Sequence, residues 1–433
     1  MHTDDMHKDA MYKDDVLREH LAFVREHSQY YGEAWSRVWP KGGAVPPLDE
    51  FPVTDHAGYW AANTPDDNRL LTGPHEHGLV FKSGGTTGNP KFSFFSNEDW
   101  RLFCREFGLG MRRGGLRAGE RVANIFYGGQ LYASLLFIGR CIEEAGVGVN
   151  YPIAGFASPE EIIEDIRHFA ITTVAGVPTS FMNLLAHFEA VSGRLAVTRF
   201  LYGGEAMYPD QVELLRSAVQ GCRVQSIGIA GVDYGEMGWV DASCEPGVHR
   251  AFDASTVLEL LDDQGLPLED TGAEGALHIT NIFRKLMPVV RYPVGDRGRW
   301  LDPPGTPGRR FKVLGRTEKG ARLGPMTLYM EDFQLALETV AAQTGFATFQ
   351  VLIDHEDRRD RCTLRVAVPK PERVPAEMSA AVAAELYKQR AMFPECVEKA
   401  VVHPLVVEWV PPGELLTNPR TGKLRQLLDR RFS

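Results

Sequence analysis

The sequence predicts an α/β fold: a large N-terminal domain, residues 1–315, with mostly parallel sheets flanked by helices, followed by a small α+β domain, residues 316–433. Three observations predict it. Up to residue 315, short β-branched runs alternate with amphipathic helices, a texture that places ligand loops at strand ends. After Gly315 the pattern changes to helix, hairpin, helix and strand. A chain of 433 residues also exceeds what one simple core sustains, which favours a large domain plus a smaller one.

The clearest helix starts at Ser158, where Pro159 and, three residues on, Glu161 make a capping box with proline at the first helical position. That helix runs to Phe169, and residues 171–177, Ile-Thr-Thr-Val-Ala-Gly-Val, read as a buried strand. A second unit passes from a helix over 209–219 into a strand over 222–229. The Pro- and Gly-rich residues 301–310 form a loop between two strands. In the small domain a helix is expected over 331–342, with Phe333, Ala336, Leu337 and Val340 on one face. Strands over 348–353 and 363–368 flank a charged turn at 355–360, and a helix over 376–392 precedes a strand over 405–410. There is no internal repeat and no low-complexity tract.

The apolar fraction of 44% and charged fraction of 24% are those of a soluble globular protein. A net charge of −10 argues against nucleic acid or an anionic membrane as primary partner. No run approaches 18 apolar residues, and the polar, acidic start lacks the pattern of a secretory signal. The six cysteines are scattered without a CxxC pair, as reduced thiols are. A cytoplasmic location is expected.

The strongest local signal is Ser83-Gly84-Gly85-Thr86-Thr87-Gly88-Asn89-Pro90-Lys91. Its glycines let the backbone curl so that several N–H groups face one anion. Ser83, Thr86 and Thr87 add hydroxyl donors, and Lys91 adds a mobile positive charge. It is not a Walker A loop, because Gly-Lys-Ser/Thr is absent and Pro90 interrupts any helix entry. The stretch resembles the phosphate loop of the adenylate-forming superfamily of acyl-CoA synthetases, luciferases and adenylation domains. Chain length and motif spacing are similar to the phenylacetate–CoA ligase branch.

Further motifs of that family recur in order. Tyr202-Gly203-Gly204-Glu205 resembles the segment that lines the adenine beside the acyl pocket. Arg291-Tyr292-Pro293-Val294-Gly295-Asp296 resembles the segment whose aspartate grips both ribose hydroxyls, a task that suits a carboxylate because it accepts two hydrogen bonds. In Gly315-Arg316-Thr317-Glu318-Lys319 the resemblance implies an arginine on ribose or phosphate and a hinge at Glu318, where aspartate is more usual. It thereby makes residues 316–433 a mobile lid. Asn418-Pro419-Arg420-Thr421-Gly422-Lys423 is similar to the segment carrying the catalytic lysine. Charge builds on the phosphoryl oxygens as a carboxylate attacks the α-phosphate, and a fixed ammonium stabilises that transition state.

Relatives supply a glutamate to Mg²⁺ from a Tyr-Gly-x-Ser/Thr-Glu segment. Here residues 229–236 read Ile-Ala-Gly-Val-Asp-Tyr-Gly-Glu, and the spacing puts Asp233 on that glutamate, with Glu236 as competitor. Cys244 and His249 are similar to two ligands of a structural zinc in some members of the branch. The loop 301–310 lacks the further cysteines, and two ligands cannot close a tetrahedral site, so no zinc is expected.

The acyl pocket is expected around Phe126, Tyr127, Gly128, Gly129 and Tyr132, with Gly176 and Gly203-Gly204 as its other walls. Aromatics beside glycines suit a flat aryl acid. Where CoA ligases of this branch carry Arg-Gly and then Asn after the hinge, this chain has Gly324, Pro325 and Thr327. Proline lacks an N–H, so CoA, a carrier-protein phosphopantetheine thiol and an amine all stay open as acceptor.

The expected function is ATP- and Mg²⁺-dependent activation of a carboxylic acid, an aryl acid in the first instance, as its acyl-adenylate, followed by transfer to a thiol of CoA or of a carrier-protein phosphopantetheine, with an amine as the alternative acceptor. The expected partners are the acid, ATP and, for the phosphopantetheine route, an acyl carrier protein, with the enzyme a monomer or homodimer. The rival reading is a catalytically degenerate nucleotide-binding partner in a biosynthetic complex.

Overall fold

The computed structural model describes residues 3–83, 91–191, 195–204, 207, 209–262, 264–316, 320–323, 326–357, 359–390, 392–419 and 421–430. Its contacts divide the chain into two compact units, 1–152 with 226–317, and 153–225 with 318–433. Residues 153–225, which the sequence assigns to the large domain, thus cluster with the C-terminal module.

In the first unit, helix Asn97–Arg113 is terminated by the chemistry its ends require. The Ser96 hydroxyl accepts from Asp99 N at 3.0 Å, acidic Glu98 and Asp99 fill the first turn, and basic Arg112 and Arg113 fill the last. It packs on helix Ser134–Ala145 at unusually close range. A Cβ on Gly108 would fall 2.3 Å from the Cys141 carbonyl oxygen, so only glycine admits this crossing. The Phe103 and Phe137 rings stack 4.4 Å apart across the same interface.

Strands Arg121–Asn124 and Val149–Tyr151 pair in parallel around that helical crossover. From residue 229 onward the pairing changes. Seven strands form one sheet in the order Thr256–Leu261, Glu274–Asn281, Val289–Trp300, Arg310–Arg316, Val248–Ala251, Gly235–Trp239 and Ile229–Gly231. Every neighbouring pair in it is antiparallel. The expectation of mostly parallel sheets therefore describes the helix-alternating segments and not this one, where strands follow one another through loops too short for a helical crossover. Buried Trp35, Tyr31, Phe51, Tyr59, Met237, Leu277 and Tyr292 lie in one core cluster under the sheet. The strand expected over 222–229 is divided into Arg223–Ser226 and Ile229–Gly231. Gly228 separates them at φ +115°, where an added Cβ would sit 2.7 Å from the Gly238 carbonyl oxygen.

In the second unit, the predicted capping box is present: Ser158 N and Oγ each lie 2.9 Å from Glu161 Oε2, and Glu161 N donates back to Ser158 Oγ. The helix Pro159–His168 leads to strand Thr173–Gly176, which pairs in parallel with Arg199–Tyr202. The C-terminal module has four strands in the order Val406–Val410, Arg359–Ala367, Thr348–Glu356, Leu427–Asp429, antiparallel at the centre and parallel at both edges. Helix Met330–Val340 buries Phe333, Ala336 and Leu337 in the same core as Phe349, Val351, Leu364 and Leu386.

Two expectations for this module are corrected. The charged turn at 355–360 is mostly strand, because His355 pairs across from Asp360 with a 2.9 Å side-chain hydrogen bond and Glu356 pairs with Arg359. Charge complementarity across the hairpin replaces the apolar alternation that pattern reading needs. The helix expected over 376–392 is two helices, Met378–Gln389 and Met392–Glu398. The chain leaves helical geometry at Arg390, at φ −126° and ψ 73°, where its guanidinium forms a two-point pair with Asp332 at 2.7 and 2.8 Å. Among the described residues no helix is long and apolar enough to cross a membrane.

Candidate active site

Strands Leu79–Ser83 and Lys91–Phe95 pair antiparallel with Ser83 directly opposite Lys91, so the two ends of the predicted phosphate loop meet. The loop itself, Gly84, Gly85, Thr86, Thr87, Gly88, Asn89 and Pro90, lies outside the described residues. Lys91 Nζ sits 2.9 Å from His56 Nε2 and 5.2 Å from the centroid of the Trp60 ring.

Both partners stand on the short helix His56–Ala61, whose Asp55 cap accepts from Ala57 N and Gly58 N. Trp60 Nε1 donates to Tyr292 Oη at 2.9 Å, and the Tyr59 and Tyr292 rings lie 5.3 Å apart. Sequence reasoning missed this aromatic wall. The available signal was an aspartate cap followed by His-Ala-Gly-Tyr-Trp, which by itself reads as an ordinary buried turn of helix.

Two residues beyond Lys91, on the same side of the strand, buried Ser93 donates its hydroxyl to Asp233 Oδ1 at 3.3 Å. Asp233 lies in the turn between strands Ile229–Gly231 and Gly235–Trp239. The backbone there is specified at Gly235, which has φ +94° and whose Cβ would meet Asn281 Nδ2 at 2.6 Å. Burial pushes the Tyr292 phenol well above its ordinary value, and the Asp233 charge adds to the shift. Among the described residues no group of three or more His, Cys, Asp or Glu surrounds a metal position. A carboxylate beside a hydroxyl nonetheless fits Mg²⁺, a hard cation bound through one or two carboxylates plus substrate phosphates.

The competing Glu236 is placed differently. Its carboxyl is 2% exposed and accepts from Asn281 Nδ2 at 3.2 Å, and burial pushes it up to about 7.

Asp296, on strand Val289–Trp300, is buried and stands directly across the ladder from Arg316. The loop 301–310 makes this pairing possible by folding back on itself. The Asp302 carboxylate accepts from Arg310 N at 2.9 Å and from Arg310 Nη2 at 2.7 Å. Arg291, in the same motif as Asp296, turns inward instead. It adopts φ +43°, pairs with Glu259 and donates to the carbonyls of Asp49 and Phe51, so it ties loops together. Glu318 is outside the described residues, as are Glu205, Gly324 and Pro325. Thr327 pairs with Arg322 in the hairpin Gly320–Leu323/Met326–Tyr329.

Among the expected acyl-pocket residues, Phe126 is buried while Tyr127, Gly128 and Tyr132 are half-buried. Gly129, at φ +87°, accepts from Tyr132 N at 2.8 Å and closes a tight turn. Lys82 N donates to Leu131 O at 2.8 Å, which attaches that turn to the strand entering the phosphate loop.

The second unit holds the remaining expected residues. Gly176 pairs with Tyr202, and Gly203 N donates to Gly176 O at 3.2 Å, so the two glycine walls are neighbours at the strand ends. Gly204 follows at φ +81°, and a Cβ there would fall 2.8 Å from Lys423 Cε and 3.1 Å from Lys423 Nζ. The lysine thus rests on bare backbone. Its own turn is held by Asn418 N donating to Lys423 O at 2.8 Å, by Lys423 N donating to Thr421 Oγ1 at 3.2 Å, and by Gly422 at φ +66°.

Cys244 is half-buried with Sγ 3.6 Å from Asp241 Oδ1, while His249 stacks on Phe311 at 5.7 Å. Burial lowers the His249 imidazole to about 4, so it is neutral near pH 7.

No protein-family model matches the chain. A phenylacetate-coenzyme A ligase of Thermus thermophilus is 25% identical over 448 residues, covering 97% of this chain and 96% of that protein. Another from Aromatoleum evansii is 24% identical over 370 residues, covering 81% and 78%. Among solved structures, a 2-hydroxyisobutyryl-CoA ligase in its postadenylation state superposes with a TM-score of 0.69 at 18% identity, covering 96% of this chain and 88% of the other. ATP-bound MatB from Rhodopseudomonas palustris gives 0.56 at 16% identity, covering 82% and 67%. In sequence along nearly its whole length the chain is similar to the phenylacetate-coenzyme A ligase of Thermus thermophilus, and its fold is that of these solved structures.

Proposed function

We propose that this chain activates a carboxylic acid, in the first instance an aryl acid, as its acyl-adenylate at the expense of ATP, and then transfers the acyl group to the thiol of coenzyme A. The observation that carries the reading is the Ser93–Asp233 contact. It joins the strand leaving the predicted phosphate loop to the predicted metal turn across 140 residues of sequence. The relatives named phenylacetate-coenzyme A ligases supply the class of acid and the thiol.

In this reading the backbone and hydroxyls of Ser83–Gly84–Gly85–Thr86–Thr87–Gly88 and the charge of Lys91 receive the phosphates. Asp296 accepts from the ribose hydroxyls, Arg316 assists beside it, and Gly203, Gly204 and Glu205 lie at the adenine. Asp233 would hold Mg²⁺, which supplies positive charge to the phosphate oxygens. The substrate carboxylate attacks the α-phosphorus, the bond to the β-phosphate oxygen breaks, and pyrophosphate leaves with the electron pair. The Lys423 ammonium stabilises the charge that develops in that step. The thiol then adds to the acyl carbon as its proton is lost, and AMP departs. Residues 1–315 and 316–433 act as two domains hinged at Glu318.

Tyr127 and Tyr132 beside Gly128-Gly129 support a flat acid, with Phe126 as a packed backing. Transfer to a carrier-protein phosphopantetheine or to an amine is the second reading, and Pro325 in the post-hinge loop is what favours it.

The test is ATP–pyrophosphate exchange with phenylacetate, benzoate and 2-hydroxyisobutyrate, followed by addition of CoA and chromatography of the thioester. Exchange fastest with an aryl acid, and thioester on adding CoA, is the expected result. Exchange without thioester would move the acceptor to a carrier protein or amine. No exchange with any acid of a broad panel would overturn the enzyme reading in favour of a nucleotide-binding partner protein.

A further inference from the structure

The turn that carries Asp233 is held from behind by Arg284, a residue outside every sequence motif quoted above. Arg284 is 3% exposed, and its Nη1 donates to two successive carbonyls, Val232 O at 2.8 Å and Asp233 O at 2.9 Å. Among the described residues its buried Nε and Nη2 have no hydrogen-bond partner, and the guanidinium carbon lies 4.3 Å from the Phe95 ring centroid. A buried guanidinium spends most of its donors badly here, which is costly unless the two bonds it does make are needed.

The arginine is itself aimed. Asn281 Oδ1 accepts from Phe283 N at 3.1 Å and from Arg284 N at 3.0 Å, while Asn281 Nδ2 reaches Glu236. Asn281 also fills the space that a side chain on Gly235 would need. The Asp99 carboxylate accepts from Lys285 N and Leu286 N at 3.0 Å each, which fixes the chain just after the arginine. Helix, sheet and turn therefore converge on one function for Arg284: setting the direction in which residues 232 and 233 leave the strand.

We propose that Arg284 is a positioning residue for metal-bound ATP, acting through its two-carbonyl grip on the Val232–Asp233 backbone. The inference rests on the adenylation reading above. Because Arg284 acts only through Asp233, its effect on metal affinity disappears when the Asp233 carboxylate is absent, whereas a general packing role persists in either background.

The experiment measures Mn²⁺ binding by electron paramagnetic resonance with full-length protein and saturating ATP, with no acid present. Wild type, Arg284→Gln, Asp233→Asn and the double variant form the cycle, with thermal melting recorded for each. Should Arg284→Gln fail to fold, Arg284→Lys, which keeps the charge over Phe95, takes its place in the same cycle. The expected result is an Mn²⁺ dissociation constant about tenfold higher for the Arg284 variant in the wild-type background and unchanged by it in the Asp233→Asn background. The drop in melting temperature should be alike in both backgrounds. Equal Mn²⁺ affinity for wild type and the folded Arg284 variant would overturn the proposal, as would effects that simply add. Pyrophosphate exchange by the wild type, run alongside, separates this failure from failure of the adenylation reading itself.

Discussion

Replacing Gly204 with alanine tests the placement of Lys423 more sharply than deleting the lysine. The added methyl would lie 2.8 Å from Lys423 Cε and 3.1 Å from Nζ, inside the ~3.5–4 Å separation of ordinary contacts. The clashing atoms are the free end of a flexible side chain, so the protein relieves the contact by moving the ammonium rather than the backbone. Stability loses only the cost of holding alanine at φ +81°, about 1–2 kcal/mol. In the role proposed for Lys423 chemistry loses more, because displacing a catalytic charge by about 1 Å can cost about 10²-fold in rate. The assay pairs ATP–pyrophosphate exchange with transfer from a chemically supplied acyl-adenylate to CoA. Exchange is expected to fall about 10²-fold, with transfer from the supplied adenylate little changed. At saturating ATP, where any loss of nucleotide affinity at the adenine is offset, Gly204→Ala combined with Lys423→Ala should be no slower than Lys423→Ala alone, as both then act on the rate through one group. Undiminished exchange in folded Gly204→Ala, or equal losses in both half-reactions, would refute the assignment.

Three further outcomes follow from the same geometry. Glu236 is raised in the folded protein to about 7 from an ordinary value of 4.5, so the folded state holds an extra proton between those values and stability falls as pH rises across that window. Glu236→Gln should leave urea stability unchanged at pH 4 and raise it by up to about 3 kcal/mol at pH 8, flattening the profile between. Asp296→Asn should raise the KM for ATP by about 10- to 100-fold, the worth of hydrogen bonds to a charged acceptor, while the KM for the acid stays put in steady-state exchange. Ser158→Ala removes the capping box and should cost about 0.5–2 kcal/mol in chemical denaturation with exchange activity intact.

Much of the architecture was legible locally. The capping box at Ser158, the apolar face of Phe333, Ala336 and Leu337, and the turn-rich loop 301–310 each specify their structure within a few residues. Where pattern reading failed, the stabilising partner was on another element. Strand Thr348–Glu356 extends into charged residues because His355 meets Asp360 across the hairpin, and the helix break at Arg390 answers to Asp332, 58 residues away. Gly228 divides a strand because a carbonyl oxygen ten residues later approaches too closely for any side chain.

By itself, the sequence determined the fold class and named many of the residues of the candidate site. Glycine spacing, a capped helix and a carboxylate in a recurring motif depend on backbone torsions and local hydrogen bonds, which neighbouring residues dictate. Only the tertiary structure decided which of these residues meet. Ser93 reaches Asp233, Asp296 faces Arg316 and Gly204 lies under Lys423 because strand register and backbone approach are set by the packing of whole elements. The same packing put Arg284 behind Asp233 and gave Glu236 its dry surroundings. Contacts across tens to hundreds of residues leave no periodic trace along the chain, since each is specified by shape complementarity between surfaces that exist only once the chain has folded.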